Sequence, residues 1–145
     1  YGGKKEIGEY FGKRMGEAML QSNRFIDIDA VVPLPLFLKK ERIRGYNQAA
    51  VIGEGISLAT GIPLYTDVAR RKMFTETQTH KSRMERWQNI EGKFEVINKS
   101  KIEHKHLLLI DDVVRTGATL EACGSILLEQ PGVRLSIATL AYTTL

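Results

Sequence analysis

Leu107–Leu120 reads LLLIDDVVRTGATL. Four apolar residues, Leu107 to Ile110, run straight into two acids, Asp111 and Asp112. A short loop of small and hydroxyl residues follows, Arg115-Thr116-Gly117-Ala118-Thr119, and an apolar helical pattern starts at Leu120. A buried strand, an acid pair, a small-residue loop and a helix start are the parts with which an α/β protein presents a phosphorylated ligand at a strand's carboxyl end. Neighbouring strand residues point to opposite faces, so Asp111 and Asp112 need not share one task. Carboxylates accept hydrogen bonds from vicinal hydroxyls, or hold Mg2+ directly or through water. Backbone N–H groups around Gly117, with the hydroxyls of Thr116 and Thr119, suit a phosphate. Together these features fit a ribose 5-phosphate better than the bland reading, in which the acids only cap and turn.

Outward from this stretch, the chain alternates strands and helices, which predicts an α/β fold with a parallel sheet. Lys4–Ser22 carries Ile7, Phe11, Met15, Ala18 and Met19 at helical steps, predicting a helix that packs this stripe on the core. Ala30-Val31-Val32 is a short strand ended by Pro33-Leu34-Pro35. Phe37–Gln48 is strongly basic and reads either as a solvated loop or as an anion-binding loop in which Gly45 lets the backbone approach a ligand. Asn47 is placed to cap the next helix, which Gly61 and Pro63 stop. Ile62–Val68 is expected as a strand, and Arg70–His80 as a long mobile loop of the kind that forms lids. Ser82–Ile90 suggests a short helix, Gly92–Ile97 a strand and Asn98–His106 a charged turn. The helix from Thr119 to Gln130 ends at Pro131-Gly132, and Arg134–Tyr142 is a last strand.

With 145 residues, 43% hydrophobic and 26% charged, the chain fits one domain, residues 1–145. Tyr1 stands where an initiator Met would, so a longer parent chain is expected. No apolar run approaches the roughly 20 residues that span a bilayer. The single cysteine, Cys123, excludes an internal disulfide and points to a reducing, cytoplasmic setting. His80, His104 and His106 lack metal-ligand spacing and are expected in solvated loops. Ser57, Ser82, Ser100, Ser125 and Ser136 have no evident His partner, so no nucleophilic triad is expected. The net charge of +4 suits an anionic small ligand or a nucleic acid.

Ile110–Thr119 resembles the phosphoribosyl-pyrophosphate (PRPP) signature of type I phosphoribosyltransferases. Val32-Pro33-Leu34-Pro35 followed by Arg44-Gly45-Tyr46-Asn47-Gln48-Ala49 resembles the ComF family of competence proteins, a type I phosphoribosyltransferase-like family with amidophosphoribosyltransferase likeness. Thr77-Gln78-Thr79, Ser82-Arg83, Arg86 and Asn89-Ile90 are similar to that family's middle loop. The resemblance covers the chain beyond residue 30.

It implies the type I phosphoribosyltransferase fold, a central parallel sheet flanked by helices with a flexible loop over the site. It implies binding of Mg2+ and PRPP and transfer of the phosphoribosyl group to an unidentified nitrogen acceptor, with release of pyrophosphate. Asp111, Asp112 and Arg44 would be the catalytic residues, with Asp111 and Asp112 also holding Mg2+. Asp111, Asp112, Val113, Val114, Arg115, Thr116, Gly117, Ala118 and Thr119 would hold ribose and the 5-phosphate. Pro33, Leu34, Pro35, Arg42 and Arg44 would face pyrophosphate, while Arg70, Arg71, Gln78, Lys81 and Arg83 would close from the flexible loop. Two departures stand out. The family usually has Thr where this chain has Arg115, and the four-cysteine zinc module that often precedes this domain is absent from the sequence. The alternative is a catalytically weak PRPP- or nucleotide-binding module that assists DNA uptake, with a homodimer compatible with either. A receiver-type phospho-acceptor fits poorly, because its acid pair lies on the first strand and this one lies far along the chain.

Overall fold

A computed structural model describes residues 2–25, 27–72 and 93–144. The elements in order are α1 (Gly2–Ser22), β1 (Ala30–Pro33), α2 (Leu38–Arg44), α3 (Gln48–Thr60), β2 (Ala69–Arg71), β3 (Phe94–Val96), α4 (Lys99–Ile102), β4 (His106–Val114), α5 (Ala118–Leu128) and β5 (Arg134–Tyr142). β1, β4 and β5 form a parallel sheet in the order β1-β4-β5. β2 and β3 form a separate antiparallel ribbon. The expected α/β architecture, a parallel sheet flanked by helices, is the observed one.

β4 is the buried middle strand. Leu107, Leu108, Leu109 and Ile110 are each at most 1% exposed, which explains an unbroken apolar run rather than alternation. Leu107 and Leu109 pack with Val32, Phe94, Leu120, Cys123 and Leu127 on one face of the sheet. Leu108 and Ile110 pack with Val31, Ile52, Ile56 and Met19 on the other. The same alternation carries Asp111 toward the first face and Asp112 toward the second.

Several local expectations are corrected. The basic segment after β1 is a helix, not a loop: Leu38–Arg44 is built from good helix formers. Gly45 is its left-handed C-cap, φ 87°, and its N–H bonds to Glu41 O at 2.6 Å, so it ends this helix. The strand expected over Ile62–Val68 is reduced to one parallel bridge, Leu64 beside Val31. The strand falls instead at Ala69–Arg71, so Arg70 and Arg71 lie in β2 rather than in a mobile loop. The charged turn at Asn98–His106 contains α4, and His106 already belongs to β4. The expected loop beyond Lys72 and the helix at Ser82–Ile90, with Gln78, Lys81 and Arg83, lie outside the described residues.

α1 also packs differently from its apolar stripe. Ile7 is 57% and Phe11 44% exposed, and Ala18 is exposed too. The buried face is Gly12, Gly16 and Met19 with half-buried Gly8 and Met15. These glycines sit one turn apart and let α1 close directly on α3. A Cβ on Gly16 would lie 2.8 Å from the Ala59 Cβ.

Candidate functional site

The site grows from the register of β1 against β4. Pro33 pairs with Ile110, and Leu34 N donates to Ile110 O at 2.8 Å. The chain leaving β1 therefore starts beside the acid pair. Asn47 fixes it there: Nδ2 donates to Leu34 O at 3.1 Å, while Oδ1 caps α3 by accepting from Ala49 N at 2.9 Å and Ala50 N at 3.4 Å. The expected cap is thus also a brace between the first loop and α3, a role that needs a contact 13 residues away and has no signal in the local sequence.

A cleft of about 200 Å³ opens at this point, bringing together Leu34, Pro35, Arg44, Arg71, Asp111, Asp112 and Thr119. Residues expected in three separate roles thus line one cleft. Arg44 is exposed and donates to Gln48 Oε1 at 2.9 Å, which aims it across the opening. Arg42 is exposed on α2 and Arg115 on the loop before α5; neither lines this cleft. Gly117 is left-handed at φ 82° and precedes the first residue of α5. Thr116 Oγ1 accepts from Ala118 N at 3.3 Å, so this hydroxyl shapes the loop itself. Val113 is exposed, and Val114 is half-buried, its carbonyl accepting from Thr143 N at 3.0 Å.

Arg71 is the residue whose setting the sequence did not disclose. Its guanidinium packs on the rings of Phe37, 4.5 Å, and Phe94, 4.9 Å. Its Nε donates to Pro35 O at 2.8 Å. Arg71 is therefore a fixed wall of the cleft that ties β2 to the loop after β1. Arg70 points elsewhere, paired with Glu95 at 2.6 Å. A larger opening of about 910 Å³ lies on that side, lined by Pro33, Leu38, Glu41, Arg70 and Glu95. Arg70 and Glu95 pair with each other there, and the smaller cleft, which holds the acid pair, is the candidate site.

The acids are held by their own backbone. Asp111 Oδ1 accepts from Asp112 N, and Asp112 Oδ1 from Val113 N, both at 2.8 Å. Burial pushes the Asp111 carboxyl up to about 6; the Asp112 N–H that donates to it pulls down, while the Asp112 carboxyl beside it pushes up. A pKa raised on folding means that ionised Asp111 costs stability. The cost is full above about pH 6, shrinks as the pH falls, and is gone near the ordinary value of 3.8. Asp111→Asn should therefore melt above the parent at about pH 8 and lose that advantage by about pH 4, as scanning calorimetry would show. Equal differences at both pH values would remove the buried-carboxylate assignment.

The expectation for histidine is also corrected. His106 is buried, 9% exposed. Its Nε2 lies 2.7 Å from Ser136 Oγ, and Asp27 Oδ1 lies 3.1 Å from Nδ1. Ser136 thus does have a His partner. Nδ1 has no well-formed hydrogen bond among the described residues despite that distance. Asp27 also pairs with Arg134 at 2.9 Å, and Asp29 Oδ2 accepts from His106 N at 2.8 Å. This group pins the segment before β1 to the first residues of β4 and β5, at the end of the sheet away from the acids. Cys123 is buried, and burial pushes its thiol up to about 12, so it is no nucleophile.

Among the described residues, no three His, Cys, Asp or Glu side chains converge on a metal position. Two adjacent carboxylates do suit Mg2+, which keeps several waters and takes its remaining oxygens from substrate phosphates. No helix among the described residues is long and apolar enough to cross a membrane.

No family model matches the chain. Individual proteins do. The chain is 32% identical over 100 residues to competence protein F of Haemophilus influenzae, covering 68% of this chain and 44% of that protein. It is 35% identical over 100 residues to competence protein ComFC of Bacillus subtilis, covering 69% and 38%. It is 24% identical over 143 residues to DNA utilization protein YhgH of Salmonella typhimurium, covering 97% and 62%. It thus spans from 38% to 62% of the length of these relatives. Among solved structures, glutamine PRPP amidotransferase from Bacillus subtilis superposes with a TM-score of 0.64 at 19% identity, over 94% of this chain and 26% of that one. Adenine phosphoribosyltransferase from Saccharomyces cerevisiae gives 0.55 at 20% identity, over 97% and 68%. At these identities the structures establish the fold, and the sequence relatives supply the kinship. The chain belongs to the ComF family of type I phosphoribosyltransferase-like proteins.

Proposed function

We propose that the cleft binds Mg2+ and PRPP and transfers the phosphoribosyl group to a nitrogen acceptor, releasing pyrophosphate. One observation carries this reading: Asp111 and Asp112 share a single cleft with Arg44, Arg71 and Thr119. Acids suit the ribose diol, arginines suit departing pyrophosphate, and the loop before α5 suits the 5-phosphate. The transition state gains positive charge at the anomeric carbon as the leaving oxygen gains negative charge. Asp111 and Asp112 orient the ring through its hydroxyls. Arg44 and the fixed Arg71 stabilise the leaving group without reorganising. Asp111 and Asp112 would hold Mg2+ directly or through water, and the ion would supply neutralisation of the diphosphate charge. The domain is placed in the cytoplasm, where such ligands occur, and a homodimer is compatible with this site.

The second reading is a PRPP- or nucleotide-binding module of low turnover that serves DNA uptake. Two observations favour it: the relatives are named for competence and DNA utilization, and α2 exposes Lys39, Lys40, Arg42 and Arg44. Pyrophosphate release from Mg2+-PRPP, measured across a panel of amines and nitrogen heterocycles, separates the two. The first reading expects acceptor-dependent release that is lost in Arg71→Ala. Tight PRPP binding by calorimetry with no release for any acceptor would leave the second.

A further inference from the structure

The parallel sheet covers one of its two edges and leaves the other open. On the β1 side, Val31 N donates to Pro63 O at 2.9 Å and Tyr65 N to Val31 O at 2.8 Å, so the segment around Leu64 lies along that edge. On the other side, β5 has no second partner strand among the described residues. Arg134 N donates inward to Lys105 O at 3.0 Å, so alternation along the strand turns the backbone groups of Leu135, Ile137 and Thr139 outward. β5 has nine residues, about 30 Å of strand. Open edges are ordinarily blunted by charges, prolines, bulges or short length. RLSIATLAY contains no proline or glycine, and its single charge, Arg134, stands at one end, paired with Asp27 at 2.9 Å. Ile137 is 49% and Tyr142 75% exposed.

We infer that β5 is a self-pairing edge, through which two copies of the chain join antiparallel about a twofold axis at Ala138. In that register the strand is its own complement. All nine residues pair, Arg134 with the partner's Tyr142 and Ile137 with the partner's Thr139. Outward-turned residues then oppose one another, as the hydrogen-bonded pairs of an antiparallel ladder require. Arg134 meets an exposed aromatic ring rather than a second cation, and Ile137 meets a β-branched residue. A contact in which both copies use the same patch closes on itself, so assembly ends at a dimer. The two three-stranded sheets become one continuous sheet. Antiparallel joining sends the two acid pairs, at the carboxyl ends of the β4 strands, to opposite ends of that sheet. Neither cleft is covered, so the contact stands whether or not the cleft performs transfer.

Sedimentation velocity should find the wild-type chain dimeric at about 50 μM. Thr139→Pro deletes an outward N–H and spares the bonds to β4, a position at which edge strands tolerate proline. Ile137→Lys sets two ammonium groups near each other on one face of the joined sheet. Each should weaken the dimer at least about tenfold while the circular dichroism spectrum stays that of the wild type. Ala138→Cys should form an intermolecular disulfide on mild oxidation, because residues facing each other across the twofold stand about 4.5 Å apart at Cα. Ala141→Cys, exposed near the strand's end, should not. The native Cys123 is buried and does not compete. If Thr139→Pro unfolds the chain, Ile137→Lys and the cysteine pair decide. A wild-type monomer at that concentration overturns the inference and leaves the edge to a different protein or to a further segment of a longer chain. A dimer that Ile137→Lys leaves intact overturns it too, as does one that crosslinks equally through Ala141→Cys, since the contact would then lie elsewhere.

Discussion

The double variant Asp111→Asn, Asp112→Asn should lose at least about a hundredfold in affinity for Mg2+-PRPP. Each charge-assisted hydrogen bond from a ribose hydroxyl is worth about 1.5–3 kcal/mol, so two such bonds correspond to a factor of roughly a hundred or more. Loss of the charge proposed to hold Mg2+ acts in the same direction. Unfolding is not the competing explanation. Asp111 pays a burial penalty when ionised, so an amide there should leave the fold at least as stable at about pH 8. Isothermal calorimetry in Mg2+, with a melt of the same sample, separates the two effects. Ribose 5-phosphate should suffer as well, because the acids are assigned to the diol rather than to pyrophosphate. Unchanged PRPP affinity in a folded double variant would sink the site assignment.

The sequence revealed those acids clearly because several local signals coincide there. A four-residue apolar run, a charge pair, a glycine and a helix start define strand, site and loop without distant information. The alternation that sends Asp111 and Asp112 to different faces needs only the strand's period. Arg71 is the opposite case. Its position depends on Phe37 and Phe94, which lie 34 positions before it and 23 after it, and on a carbonyl at Pro35. Nothing in RRKMF distinguishes a clamped arginine from a loop arginine. The basic segment at Leu38–Arg44 is ambiguous in sequence for another reason. Charge suggested a ligand loop, while Lys, Arg, Leu and Glu are all good helix formers and Gly45 supplies the stop. His106 stayed hidden because its partners, Asp27 and Ser136, come from different segments.

The glycines of α1 invite a second prediction, one on which propensity and packing disagree in sign. Gly12→Ala removes a flexible residue from a helix interior, and propensity alone would credit it with about 1 kcal/mol of added stability. The structure predicts a loss. An added Cβ at Gly12 would strike the Ile52 carbonyl and lie 3.0 Å from the Gly55 Cα. At Gly55 it would meet Lys13 N at 2.7 Å and Gly12 C at 2.8 Å. These neighbours are backbone of two packed helices, so relief requires α1 and α3 to separate rather than a side chain to turn. Overpacking of this kind costs about 1–3 kcal/mol for a small addition and more for a larger one. Gly55→Val should then lose about 3 kcal/mol, a large part of a domain's 5–15 kcal/mol, and lower Tm by about 10 °C. Gly12→Ala should destabilise by less but with the same sign. Gly3→Ala is the internal control, because nothing lies within 4 Å of its added Cβ. There propensity acts alone, and Tm should hold or rise slightly. If Gly12→Ala matched Gly3→Ala in thermal melts, the close seam between α1 and α3 would be wrong. The groove of about 380 Å³ that α1 forms with the carboxyl ends of β4 and β5 would lose its outer wall with it.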